Sequence, residues 1–273
     1  MKSKVKGKVL SQKSLASGIY DLNIETDLAP AAHAGQFVGV YTDNPSLLLP
    51  RPISICDVSN DKKSIRLVYR VAGKGTEEFS RLKEEDEVSL LGVLGNGYDI
   101  PKIAEICGTQ SSTSSSATEN GCGALLLGGG IGVPPMLLLS KELATAGVKV
   151  TAVMGYRDKD AYLLDEFKSV CDTYVASEDG SIGTKGNVLD AVRENGIPFS
   201  CICACGPLPM LRAIKAFAGD KQAFISLEER MACGVGACLG CIVKTVKEDG
   251  HSHVNNTRIC TDGPVFLASG VDI

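Results

Sequence analysis

The sequence predicts a chain of α/β plus all-β class: an antiparallel β-barrel, then an open parallel α/β domain and a small C-terminal subdomain built around cysteines. Three observations carry that expectation. Short apolar segments separated by turn residues fill the first hundred positions. Strand-like and helix-like apolar runs alternate from Gly123. Four cysteines fall within the last 41 residues as Cys233-x4-Cys238-x2-Cys241-x18-Cys260. At 273 residues the chain suits about two compact units. The boundaries read as 1–104 for the barrel, 105–122 for a Ser/Thr-rich linker, 123–226 for the α/β domain and 227–273 for the cysteine subdomain.

In the barrel half, a first strand carries Lys2, Lys4, Lys6, Lys8 and Lys13 on its solvent face. Further strands read at Gly18–Ile24, Gln36–Tyr41, Ile53–Val58, Ser64–Val71 and Glu87–Leu91, with Asn60-Asp61-Lys62-Lys63 as a hairpin turn. A short helix is expected over Thr76–Leu82, capped by Thr76. Residues 108–120 are nearly all Ser, Thr, Gly, Gln and Glu, too polar to bury much apolar area, and read as a flexible linker or insertion. Beyond it strands are expected at Ala124–Leu127, Val148–Met154, Thr173–Ala176, Cys201–Ala204 and Gln222–Ile225. They alternate with helices at Pro134–Ala146, Leu163–Val170, Asn187–Glu194 and Leu208–Phe217.

Composition excludes several classes. With 44% hydrophobic and 22% charged residues the chain is neither disordered nor fibrous, and a net charge of −4 gives no support to a nucleic-acid or anionic-membrane surface. No apolar core follows the N-terminal lysines, so a secretory signal is not expected. The apolar stretch Ala124–Leu139 is broken by glycines and prolines, which is wrong for a membrane span, and a soluble cytoplasmic protein is expected. Eleven cysteines are too few at this length for a disulfide scaffold.

Leu127-Gly128-Gly129-Gly130-Ile131-Gly132-Val133-Pro134 runs from a strand through a glycine turn into a helix opened by proline. Glycines let backbone approach a ligand, and the helix start offers unpaired N–H groups and a positive dipole end, so a dinucleotide pyrophosphate fits there. Val133 stands where a third glycine of the usual fingerprint would be. Cys205-Gly206-Pro207 closes another strand and would flank the same ligand, since open α/β sheets bind beyond the carboxyl ends of their strands. Cys201 and Cys203, on the same face as Cys205, read as small buried hydrophobes.

The C-x4-C-x2-C…C order of Cys233, Cys238, Cys241 and Cys260 is that of a plant-type [2Fe–2S] cluster. Gly234, Gly236, Ala237 and Gly240 leave a tight loop free to aim N–H groups at sulfur. Zinc is the alternative, but its sites more often pair two C-x2-C clips. His251 and His253, in a polar stretch, and the lone His33 read as solvated. No arrangement of a nucleophile with a base supports hydrolysis.

A hydride donor cannot feed a one-electron cluster directly, so a nucleotide site and a [2Fe–2S] cluster in one chain call for a carrier, commonly a flavin. The barrel half offers Arg51-Pro52-Ile53-Ser54, Val68-Tyr69-Arg70 and Gly73-Lys74-Gly75-Thr76: an arginine fork for a pyrophosphate, a hydroxyl for a ring nitrogen and a helix start for phosphate. On spacing alone, surface ion pairs are the more ordinary account of Arg51 and Arg70. With these motifs in this order the chain resembles the ferredoxin reductase superfamily. Within it, the chain is most similar to the family of electron transfer subunits of class B, NAD-linked dihydroorotate dehydrogenases. That closer resemblance rests on Met231–Cys241, on Cys260-x-Asp262-Gly263-Pro264-Val265-Phe266 and on Asp179-Gly180-Ser181-x-Gly183-x-Lys185-Gly186, and it spans nearly the whole chain.

The resemblance implies an FAD-binding barrel, an NAD-binding α/β domain and a [2Fe–2S] domain. FAD would be held by Arg51, Pro52, Ile53, Ser54, Val68, Tyr69, Arg70, Gly75 and Thr76, and the cluster by Cys233, Cys238, Cys241 and Cys260. NAD would lie against Gly128, Gly129, Gly130, Ile131, Gly132, Asp179, Cys205, Gly206 and Pro207. It also implies a catalytic partner subunit that carries FMN and oxidises dihydroorotate to orotate in pyrimidine synthesis, with two copies of each chain. Arg157 and Lys159 would tolerate the 2′-phosphate of NADP as well. The same chassis with another electron acceptor, as in a ferredoxin reductase or a hydrogenase flavin subunit, is the rival reading. The polar insertion at 108–120 and the long polar stretch before Cys260 depart from the family pattern.

Overall fold

A computed structural model describes residues 3–108, 122–248, 250 and 253–273. The chain forms two compact units. One comprises Met1–Gly97, Leu227–Val265 and Gly270–Ile273, the other Tyr98–Ser226 and Phe266–Ser269. Most of the Ser/Thr-rich stretch and His251 lie outside the described residues.

The first unit begins with β1 (Ser3–Ala16), β2 (Ile19–Glu25), β3 (Phe37–Val40), β4 (Arg51–Val58), β5 (Ser64–Arg70), helix α1 (Lys74–Phe79) and β6 (Glu87–Leu94). The strands close as a barrel in the order β1-β2-β5-β4-β3-β6, every pair antiparallel. Along β1, Lys4, Lys6 and Lys8 are exposed while Gly7 and Val9 are buried, the period-two pattern of a strand with one solvent face. The β4–β5 turn forms where expected: Ser59 Oγ donates to Asp61 Oδ1 at 2.7 Å and Lys62 takes the left-handed conformation at φ 57°. Val9, Leu22, Ile24, Ile55, Ile65, Leu67 and Leu90 fill the interior. Buried Asp21 on β2 takes both Nε and Nη2 of Arg66 on β5 at 2.9 Å, a two-pronged pair that pins the two strands in register.

The second unit runs α2 (Ile100–Ile106), β7 (Ala124–Gly129), α3 (Val133–Thr145), β8 (Val150–Tyr156), α4 (Leu164–Lys168), β9 (Asp172–Ser177), β10 (Thr184–Lys185), α5 (Val188–Glu194), β11 (Cys201–Cys205), α6 (Leu208–Ala218) and β12 (Ala223–Ser226). Helix α2 was not expected and crosses the 104/105 boundary read from composition; Asp99 caps it by accepting the Lys102 N–H at 3.0 Å. The tail adds β13 (Ile242–Thr245), β14 (Asn256–Arg258), β15 (Val265–Leu267) and β16 (Val271–Asp272). The large sheet is ordered β10-β9-β8-β7-β11-β12-β15, with β10 through β12 parallel throughout. β7 is wholly buried, which explains its unbroken apolar run. β13, β14 and β16 form a small antiparallel sheet beside the cysteines. No helix among the described residues is long and apolar enough to cross a membrane.

Candidate functional site

Strand order in the large sheet reverses between β7 and β11, and such a reversal opens a crevice beyond the strands' carboxyl ends. The Gly128–Gly132 turn leaves β7 there and Cys205-Gly206-Pro207 leaves β11 beside it. The two are in direct contact: a Cβ on Gly132 would overlap the Cys205 carbonyl and lie 2.6 Å from the Gly206 nitrogen. Gly130, at φ 54°, has nothing within 4 Å of where a Cβ would stand, so open space lies over its backbone, as close approach of a phosphate requires. Two tyrosines brace this turn. Tyr156 Oη donates to Tyr162 O and Tyr162 Oη to Gly130 O, each at 2.7 Å. Asp179 lies exposed beyond β9, at the same carboxyl end of the parallel strands, its carboxyl held below the ordinary range by the Ser181 hydroxyl and N–H. Cys205 is as fully buried as Cys201 and Cys203.

In the barrel, β4 and β5 are antiparallel with Ile55 opposite Leu67, so Arg51–Ser54 and Val68–Arg70 occupy the end of that pair away from the hairpin turn. The chain passes from Arg70 straight into Gly73 and α1. A Cβ on Gly75 would overlap the Arg51 guanidinium, which therefore packs against the start of α1. Arg51 Nη1 also donates to the carbonyls of Leu47 and Leu49. Thr76 is not the cap the sequence suggested but the third residue of α1. Its hydroxyl reaches back to accept the N–H groups of Ala72 at 2.8 Å and Gly73 at 3.2 Å. Tyr69 points inward, 2% exposed, stacked on Tyr20 and accepting from Gln12 Nε2.

The cysteine loop belongs to the same unit as the barrel. Cys233 and Cys238 sulfurs lie 3.2 Å apart, and Cys241 is hydrogen-bonded to Cys260. Burial raises the Cys233 pKa, but the N–H groups of Val235 and Cys238, the Cys238 thiol and the N–H of Ala237 outweigh it and bring the thiol to about 6. Cys260 is pushed up to about 11 by burial and by its Cys241 neighbour, against which the Gly236 N–H acts. Among the described residues no three His, Cys, Asp or Glu side chains gather as the ligands of a single ion. Two thiol pairs suit two irons better than one zinc, and the donor set fits a [2Fe–2S] group. The barrel holds this region through Asn96, whose N–H donates to Gly263 O at 2.8 Å and whose Nδ2 donates to Asp262 O at 3.2 Å. Asn96 and Tyr162 carry no local sequence signal, because each acts through a partner remote in the chain. His253 stays exposed with Nδ1 3.2 Å from Glu248, as expected.

Residues 228–272 match the family described as iron-sulfur cluster binding domain of dihydroorotate dehydrogenase B. A dihydroorotate dehydrogenase B (NAD(+)), electron transfer subunit, of Bacillus mycoides (strain KBAB4) is 41% identical over 262 residues, 94% of each chain. That of Bacillus pumilus (strain SAFR-032) is 39% identical over 266 residues, 96% of each. Among solved structures, an NADH-dependent reduced ferredoxin-NADP oxidoreductase studied for flavin-based electron bifurcation superposes with a TM-score of 0.79 at 28% identity, covering 97% of this chain and 89% of the other. Identity at this level along almost the full length, with the cysteine loop and both turns in the order described, places the chain: it belongs to the family of dihydroorotate dehydrogenase B (NAD(+)) electron transfer subunits.

Proposed function

We propose that this chain works in the cytoplasm with an FMN-bearing catalytic subunit, two copies of each, and passes to NAD+ the electrons that subunit removes from dihydroorotate. The observation that carries this reading is the pairing of thiols, Cys233 with Cys238 on the glycine loop and Cys241 of that loop with Cys260 of the later segment, in a chain that also has a phosphate-approach turn at Gly128–Gly132. Arg51, Pro52, Ile53, Ser54, Val68, Tyr69, Arg70, Gly75 and Thr76 would hold FAD, and the four cysteines the cluster. NAD would lie along Gly128–Gly132, Asp179 and Cys205–Pro207. When bound, the cluster and flavin supply the exchange between single electrons and hydride.

The chain's own residues bind, orient and tune. Arg51 presents a guanidinium to a pyrophosphate across the helix start, the Gly130 backbone admits a phosphate, and the loop N–H groups favour thiolate at Cys233. No side chain here is required as an acid or base.

An anaerobic pull-down of the chain from its own cells tests the reading. A co-eluting FMN subunit and NADH-dependent reduction of orotate are expected, with a native mass of two chains of each kind. A brown, NADH-oxidising eluate that ignores orotate assigns the chain to another acceptor. Cys238→Ala is expected to abolish NAD-linked turnover while the catalytic subunit still reduces an artificial acceptor; survival of NAD-linked turnover takes the cluster off the electron path.

A further inference from the structure

We infer that Arg258 is a positioning residue for the cluster loop: it grips the carbonyl of the Gly236–Ala237 peptide and thereby aims the N–H of that peptide at the Cys233 sulfur. The inference rests on the proposal that Cys233, Cys238, Cys241 and Cys260 hold a [2Fe–2S] cluster.

Arg258 Nη1 donates to Gly236 O at 3.0 Å. The Gly236–Ala237 bond is trans, so its C=O and N–H point in opposite directions, and the N–H of Ala237 is one of those directed at Cys233. A charged donor on the carbonyl side polarises the peptide and strengthens the hydrogen bond on its far side. Gly236 is pinned from a second direction. It sits at φ 83°, and a Cβ there would stand 2.7 Å from Thr261 Cγ2, beside the fourth cysteine.

Arg258 is itself held in place. It ends β14, opposite Ile242 of β13, and its Nε lies 3.5 Å from Asp262 Oδ2. That same oxygen accepts the Arg258 N–H and the Thr257 hydroxyl, each at 2.8 Å. Arg258 therefore reaches from the segment that bears Cys260 back to the loop that bears the other three thiols, a span of 22 positions to Gly236. It fixes the two parts of the ligand set relative to each other and leaves a permanent positive charge beside the loop. Groups of this kind, behind the ligands, typically change metal affinity 10- to 100-fold when removed. Hydrogen bonds to the sulfurs set cluster potential.

The test uses the full chain in complex with its catalytic subunit, as wild type, Arg258→Met, Arg258→Gln and Arg258→Lys. Iron and acid-labile sulfide per chain, the visible circular dichroism, the rate of cluster loss to a chelator and the midpoint potential are read. Arg258→Met is expected to lose its cluster roughly tenfold faster or more and to shift the potential negative, because reduction adds an electron beside a charge no longer there. Arg258→Gln keeps a neutral donor and is expected to hold the cluster longer than Arg258→Met with the same sign of shift. Arg258→Lys is expected to recover most of the potential. If Arg258→Met does not fold, Arg258→Gln carries the comparison. Wild-type lability and potential in the folded neutral variants would overturn the role of Arg258. A wild-type complex without iron and sulfide would instead overturn the cluster assignment itself.

Discussion

Three backbone N–H groups aimed at one sulfur change what Cys233 is at neutral pH. Its pKa of about 6 lies below an ordinary thiol's, so the thiolate is present above pH 6 and is lost as pH falls through that value. In chain stripped of iron and sulfide, iodoacetamide labelling of Cys233 should rise with a midpoint near pH 6, while Cys260, at about 11, stays slow at neutral pH. Peptide mass mapping across pH measures this, and a Cys233 midpoint near that of a free thiol refutes it. Gly75→Ala sets a Cβ into the Arg51 guanidinium. Losing a hydrogen bond to a charged group costs about 1.5–3 kcal/mol, so FAD affinity should fall roughly tenfold or more in a titration of flavin-free chain. Unchanged affinity would remove Arg51 from the flavin site. Ligand identity was legible at this scale because thiols and glycines declare their chemistry by type and spacing. Arg258 was not, since its meaning depends on a contact across a fold that its neighbours in sequence do not announce.

Most elements could be read from periodicity, and the exceptions have causes. The strands and long helices of the α/β half bury whole faces, so their apolar runs are long and clear. Helix α2 lies beside the polar insertion and is too short to show a clear apolar period, and its only local sequence mark is the cap-and-proline start Asp99-Ile100-Pro101. β13, β14 and β16 are two to four residues long and β15 only three; they exist because partners are waiting, and nothing local specifies them. Element packing also yields a prediction. Gly132 lets the β7 turn rest on the end of β11, where a Cβ would overlap the Cys205 carbonyl. Gly132→Ala should cost about 1–3 kcal/mol of stability and raise KM for NAD more than it lowers kcat. Chemical denaturation and steady-state kinetics check the two effects, and a wild-type KM would separate that turn from nucleotide binding.

Across the whole molecule, the chain leaves the barrel unit after Gly97 and returns to it at Leu227. The cysteine loop and the barrel therefore belong to one compact unit, and a group that binds its folded form stabilises that unit by mass action. Calorimetry of loaded and stripped chain should show the transition of the barrel-and-cluster unit fall by about 5–10 °C on stripping, while that of the α/β unit stays put. A uniform shift of both would refute the division. Because the barrel is made first and Cys260 is reached only after residues 98–226 of the α/β unit have been synthesised, the barrel strands emerge from the ribosome long before the last thiol exists. The full set of four thiols is thus complete only late in synthesis, and a chain terminated before Cys260 keeps the barrel strands without the fourth thiol.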